Sequence, residues 1–405
     1  MSHRTWNPLF VENEAEPYRA KVAEIAAALA PPDPSLGPGL ASGAAGRAVF
    51  FAYRAGPGDA EVAERWMERA GELMAHGRYS ASLFDGFAGV GFAASQLGWA
   101  DRDAEALAGI DDGVLMAARH GMRHQMCDVI SGALGLGVYL LQRPDPVAGP
   151  ALDLLVEEIS QRAEIDDQGA RWFCTPESFH SEGRRQAYPR GCYDLGLAHG
   201  LAGIIAFLAY VHRRRPDPAL RTLLAAAVGW LERQSLSFGE GARFGGFVLP
   251  SGEPERRRCR SSWCYGDVGI GIALWRAGQS CQRPDWAAEG LELVRAAVSL
   301  SEEAAGVGDA CLCHGAAGLA HLCNRIQQET GLPAFREQAR RWFAVALRHS
   351  RHAGAAAGYR FPGGPEKPGW HEDLTVINGV AGIGLAMQAA VSHVEPRWDQ
   401  IFLAS

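Results

Sequence analysis

Apolar residues fall into two kinds of segment along this chain. In the first kind they recur at helical spacing with a charged opposite face. Examples are EPYRAKVAEIAAALA, EVAERWMERAGELMA, ALDLLVEEISQRA, ALRTLLAAAVGWLERQ, WAAEGLELVRAAVSL and AFREQARRWFAVALRHS, with a weaker one near 103–119. This pattern predicts amphipathic helices with one solvated face. In the second kind apolar residues run nearly all round, as in GLGVYLL, GIIAFLAYV, GLAHLC and GIGLAMQAA, which predicts buried helices. A Gly-x-x-Gly pair precedes or opens each buried segment: Gly43/Gly46, Gly86/Gly89, Gly132/Gly135, Gly200/Gly203, Gly266/Gly269, Gly315/Gly318 and Gly379/Gly382. Successive first glycines stand 43, 46, 68, 66, 49 and 64 residues apart, so the chain is a sevenfold repeat of helix pairs.

Seven buried helices alternating with seven amphipathic ones have a simple packing solution. The buried set forms an inner ring and the amphipathic set an outer ring, an all-α double ring of seven inner and seven outer helices. Glycine in the first turn is expected to let the inner backbones approach one another near the axis, at a propensity cost of ~1 kcal/mol each relative to Ala. Inner-to-outer turns are short and marked by Pro or Gly (AGPGDA, QRPDPVAG, RRRPDPA, ETGLPA). Outer-to-inner connections are longer, above all 163–195, 237–262 and 352–374. The long ones share the face where the inner helices begin, and long loops commonly carry function. The whole chain, 1–405, is read as one such ring, with 163–195 an insertion between the third and fourth inner helices.

Composition narrows the chemistry. The 405 residues carry a formal net charge of −7, which does not call for nucleic acid. No uncharged apolar run is long enough for a bilayer, and MSHRTWNPLFVENEAEP does not read as a signal peptide, so a soluble cytoplasmic protein is expected. Nine cysteines, an odd count, argue against a disulfide framework and for metal binding or reactive thiols wherever they cluster.

Two cysteines stand just before a motif glycine. Repeat five reads Trp263-Cys264-Tyr265-Gly266 and repeat six reads Cys313-His314-Gly315. Helix N-termini favour thiolate, and a ring brings these starts together. Cys264, Cys313 and His314 then form a two-thiolate, one-imidazole set with an open fourth position, the pattern of a catalytic zinc. Cys311, in the run Cys-Leu-Cys-His, is a rival ligand two residues further from the glycine. In register with these, repeat four supplies His199 before Gly200, and repeat three supplies Asp128 in Cys127-Asp128-Val129-Ile130-Ser131-Gly132. Arg260 lies four residues before Cys264. On the residues alone Asp128 is equally a helix cap, His199 a packing residue, and Arg260 one loop cation beside Arg256, Arg257 and Arg258.

Together WCYG at 263–266, CHG at 313–315, Gly-Leu-Ala-His-Gly-Leu-Ala-Gly at 196–203 and Asp-Val-Ile-x-Gly at 128–132 resemble the lanthionine cyclases, the lanthipeptide synthetase component C (LanC-like) family. The resemblance covers nearly the whole chain and implies an α/α toroid with loop insertions on the active-site face. It implies one zinc on Cys264, Cys313 and His314, with Asp128, His199, Arg260 and Tyr265 as the other catalytic positions. It further implies Michael addition of a peptide cysteine thiol to dehydroalanine or dehydrobutyrine of a dehydrated precursor peptide, with a dehydratase as a further partner. His199 would act as general acid or base, Asp128 would orient it, and Arg260 would steady the enolate. Two other readings use the same residues differently: addition of glutathione or another small thiol to dehydrated residues of proteins, and a non-catalytic peptide scaffold with a structural zinc. Carbohydrate or terpene chemistry would want acidic pairs or Asp-rich motifs near the axis, and the inner-helix starts carry none.

Overall fold

The computed structural model describes residues 5–99, 104–120, 128–179, 181–364 and 368–405. Cys127 lies outside the described residues. In chain order the helices of the first half are α1 (Glu12–Leu29), α2 (Ala44–Arg54), α3 (Asp59–His76), α4 (Phe87–Gln96), α5 (Ala104–His120), α6 (Ala133–Leu140), α7 (Asp145–Arg162) and α8 (Glu182–Ala187). Those of the second half are α9 (Leu201–Arg214), α10 (Pro218–Arg233), α11 (Asp267–Cys281), α12 (Pro284–Val298), α13 (Glu302–Ala305), α14 (Ala316–Thr330), α15 (Pro333–Arg348) and α16 (Val380–Val391).

Helices α2, α4, α6, α9, α11, α14 and α16 form the inner ring, and α1, α3, α5, α7, α10, α12 and α15 the outer ring, an α/α toroid. Burial follows the sequence pattern. Every residue of α6 is buried, whereas α12 buries a stripe of Trp286, Gly290, Leu293, Val294, Ala297 and Val298. Among the described residues no helix is long and apolar enough to cross a membrane.

The seven inner starts are built alike. The first glycine of each pair is the N-cap, so the helix begins one residue later. The second glycine has a different job from the one expected. A methyl group there would lie 1.8–2.3 Å from the carbonyl oxygen of the residue six positions earlier, in all seven repeats. The glycine therefore makes room for its own entry loop, which folds back over the first turn. On the other side it meets a neighbour's side chain rather than a neighbouring helix backbone: Leu40 at Gly89, Leu83 at Gly135, Leu197 at Gly269 and Leu312 at Gly382. Val376 of the seventh repeat meets Gly46 of the first, which closes the ring.

Backbone hydrogen bonds between consecutive entry loops form a belt around the axis. The amide of Ala41 donates to Phe84, Phe84 to Ile130, Val129 to Ala198, Leu197 to Cys264, Leu312 to Ile377, and Val376 back to Ala41. The C-terminal segment packs against the inner helices and the entry loop of the fifth. The Trp263 indole donates to Phe402 O at 2.9 Å. Arg276 reaches Ala404 O, and Arg325 and His321 both pair with the buried carboxylate of Asp399.

The long connections carry the strands. A hairpin of β1 (Glu164–Asp166) and β2 (Gly169–Arg171) opens 163–195, and β3 (Tyr193–Asp194) ends it. Antiparallel pairing of β3 with β4 (Phe247–Val248), in the register Tyr193↔Val248 and Asp194↔Phe247, joins 163–195 to 237–262. A third pair, β5 (Phe361–Pro362) and β6 (Trp370–His371), lies in 352–374. The aromatic residues of 163–195 are mostly structural. The Trp172 indole donates to Ile159 O at 2.8 Å. Phe179 and Tyr188 build a small apolar cluster with Cys174, Cys192 and Phe247, while Phe173 is partly exposed and packs edge-on against Tyr193.

Candidate active site

At the junction of repeats five and six the described residues supply no backbone bond at the register of the belt. Two thiols occupy that junction instead. A ligand atom from each of Cys264, Cys313 and His314 lies within 4.8 Å of the others. Local structure explains why they converge. Cys264 and Cys313 each sit two residues before an N-cap glycine, at one register in adjacent repeats, and the closed ring turns both toward the axis. Repeat five bends more sharply than its neighbours: Gly266 alone among the seven N-caps has a positive φ, +80°. A side chain there would be strained and would press on Arg260 O and Cys259.

The electrostatics suit a cation. The hydrogen bond from Cys313 pulls the Cys264 thiol well below its ordinary range, against burial and with help from His314 and Ser262. A nearly buried thiolate beside a second thiol and an imidazole is an electron-rich donor set, which fits zinc with one position left open. No ion is part of the structure, so the fit rests on these donors.

A second group, Asp309, Cys311 and His314, shares the histidine. It suits a metal less well. Burial first, and then Asp309, push the Cys311 thiol well up, but the Cys313 thiol, hydrogen-bonded to Cys264, is raised as well, so acidity does not separate the two. Asp309 is engaged in its own turn, accepting from Cys311 N at 2.8 Å, with its other oxygen 3.7 Å from His314 Nε2. There it can steady the imidazole from outside, as carboxylates do for metal-bound histidines.

The remaining sequence candidates reach the same mouth. His199 Nδ1 and Asp128 Oδ2 are 2.6 Å apart. Asp128 also caps its own turn, with Oδ1 accepting from Ile130 N and Ser131 N at 2.8 Å, so the cap and the histidine partner are one side chain. Burial lowers the His199 pKa, but the hydrogen bond and charge of Asp128, with Asp194 behind it, outweigh burial and raise it. Arg260 is exposed, and its charge reaches Cys313. Its backbone is held by Ser261 N donating to Ala305 O at 2.8 Å, and Gly306 packs on its Cβ. The Tyr265 ring centroid is 6.0 Å from that of His199.

Three residues at the site escaped the sequence reading. Asp194 accepts from Gly196 N with one oxygen and from the Tyr265 hydroxyl, at 2.7 Å, with the other. Arg184 of α8 donates to the Tyr265 oxygen at 2.8 Å. Asp309 is the third. A usable signal existed for two of them: an aspartate recurs six residues before the motif glycine at Asp194, Asp309 and Asp373. For Arg184 the sequence held none, since nothing in 163–195 shows which of its arginines turns inward.

Comparisons with known proteins bear on the family and the fold. A family model described as lanthionine synthetase C-like protein matches residues 34–403. The nisin biosynthesis protein NisC of Lactococcus lactis subsp. lactis is 23% identical over 276 residues. That match covers 64% of this chain and 65% of the relative, so somewhat under two thirds of its length is spanned. The solved structure of a nisin cyclase superposes with a TM-score of 0.76 at 18% identity, covering 96% of each chain.

Proposed function

Because the chain belongs to the lanthionine synthetase C-like family, we propose that it is a zinc-dependent cyclase that adds cysteine thiols of a dehydrated precursor peptide to its dehydroalanine or dehydrobutyrine residues. The observation that carries this reading is the Cys264, Cys313 and His314 cluster beside the His199–Asp128 pair at one end of the ring. Cys264, Cys313 and His314 would hold the zinc. When bound there, zinc lowers the pKa of an added thiol and supplies thiolate at neutral pH.

The peptide sulfur bonds to the alkene β-carbon, and the displaced electron pair spreads over the α-carbon and the amide oxygen as an enolate. A proton to the α-carbon completes the thioether. His199 holds or moves that proton, with Asp128 fixing its tautomer and orientation through the 2.6 Å contact. Arg260, whose charge reaches Cys313, would supply positive charge for the enolate.

The test is thiol counting, because ring closure leaves the mass unchanged. A dehydrated peptide carrying cysteine is incubated with the zinc-loaded protein, then alkylated. Loss of alkylatable thiol, abolished by a chelator, supports the reading. Full alkylation after incubation with zinc-loaded protein overturns it. A mass gain of one glutathione in a mixture containing that thiol would favour small-thiol addition instead.

A further inference from the structure

Arg184 sits on α8, within 163–195, and is 81 positions away from Tyr265 in sequence. Its Nη1 donates to the Tyr265 oxygen at 2.8 Å, and the Tyr265 hydroxyl donates to Asp194 Oδ2 at 2.7 Å. Arg184 lies 3.8 Å from the same Asp194 oxygen, closing a triangle of cation, phenol and carboxylate. The guanidinium also stands 5.2 Å from the ring centroids of both Tyr265 and Phe247. Taking a guanidinium partly out of water is costly, and here the cost is offset by a carboxylate, a hydroxyl and two aromatic faces.

This arrangement constrains what Tyr265 can do. Its one proton is committed to Asp194, which is buried and has a second oxygen in use. Its acceptor side is filled by Arg184. Donation to a substrate would require breaking the bond to a buried carboxylate. Tyr265 serves better as a fixed post, next in chain to Cys264 and flanking His199.

We propose that Arg184 is a positioning residue of the thiol-addition site, through which the connection 163–195 holds Tyr265, and with it the Cys264 loop and the wall beside His199. The inference rests on the cyclase reading for its chemistry, but the mechanical link does not depend on it. A connection on the peptide-facing side of the ring is thereby tied to the loop that carries a metal ligand.

The test compares wild type, R184Q, R184K, Y265F and the R184Q/Y265F double variant. Hydrogen exchange is read over 163–195 and 259–266, together with zinc content and the kcat and KM for a dehydrated peptide. The expected result for R184Q is faster exchange in both segments and kcat down on the order of 10- to 100-fold, with KM little changed and zinc retained. R184K should recover part of the loss, since it keeps the charge and one donor. The double variant should cost no more than the worse single one. Faster exchange confined to 163–195 with unchanged kcat would overturn the proposal and make Arg184 a loop anchor. A rise in KM alone, multiplying with that of Y265F, would also overturn it by placing Arg184 on the peptide itself. Should wild type consume no thiol, the cyclase reading falls, while exchange in 259–266 still decides the link.

Discussion

Cys264, Cys313 and His314 are set apart by their mutual approach, with a ligand atom from each within 4.8 Å of the others. Cys311, two residues from Cys313, groups instead with Asp309 and His314, and that carboxylate is already engaged in its own turn. Cys264→Ser or Cys313→Ser should therefore abolish stoichiometric zinc, and Cys311→Ser should keep it, as read by metal analysis after dialysis. His199→Asn should keep zinc and slow thioether formation by ~100- to 10,000-fold, the usual contribution of a general acid or base. The pH dependence has a definite sign. Asp128 raises the His199 pKa, so Asp128→Asn lets it fall. The limb of the rate–pH profile that reports His199 should then move to lower pH, measurable from kcat across pH 5 to 9 with zinc content held constant.

Each inner helix start is a small repeated device: an N-cap glycine, then a glycine in the first turn that clears the returning loop. A methyl group at Gly318 would lie 1.9 Å from Leu312 O, and at Gly382 1.8 Å from Val376 O. Gly318→Ala and Gly382→Ala should each destabilise by about 1–3 kcal/mol, since backbone has to shift. Gly71, exposed on the outer helix α3 with nothing within 4 Å, behaves in the opposite way. Gly71→Ala should stabilise by roughly 0.5–1 kcal/mol. Denaturant midpoints of the three variants check both signs. The glycine pairs were legible in the sequence. Their purpose was not, because the atom each one avoids belongs to a loop whose path the sequence does not specify.

The ring as a whole is held in two places. At the loop end the belt of backbone bonds runs through six junctions, and the thiol pair stands at the seventh. Further along the inner helices Asp399 is buried between His321 and Arg325. Burial raises its pKa, but Arg325 and His321 outweigh that and hold it at about 2. A depressed carboxyl contributes stability above its unfolded pKa, about 4, and loses it as pH falls toward 2. Asp399→Asn should destabilise by about 3–5 kcal/mol at neutral pH, because it removes the buried carboxylate that Arg325 and His321 share and leaves Arg325 with Glu395 alone. The wild-type advantage over this variant should shrink below pH 4 in thermal melts. Chelation, by contrast, should leave the far-ultraviolet helix signal intact, because the helix core and not the metal holds the toroid.

The double ring was legible from sequence because it rests on periodicity. Seven segments apolar all round and seven amphipathic ones have few ways to bury themselves, and Gly-x-x-Gly marks where each inner helix begins. The candidate ligands were legible for a related reason: Cys264 and Cys313 occupy one register in adjacent repeats, and register becomes proximity once the ring closes. Arg184 became visible only in three dimensions. It lies in a connection without repeat symmetry, where no periodicity relates residue number to position. Its approach to Tyr265 follows from the pairing of β3 with β4 and from the packing of Phe179, Tyr188 and Phe247, which are contacts between distant parts of the chain. The pairing of Asp128 with His199 was likewise decided by tertiary structure, which set two residues 71 apart at 2.6 Å and so separated a histidine's partner from a mere helix cap.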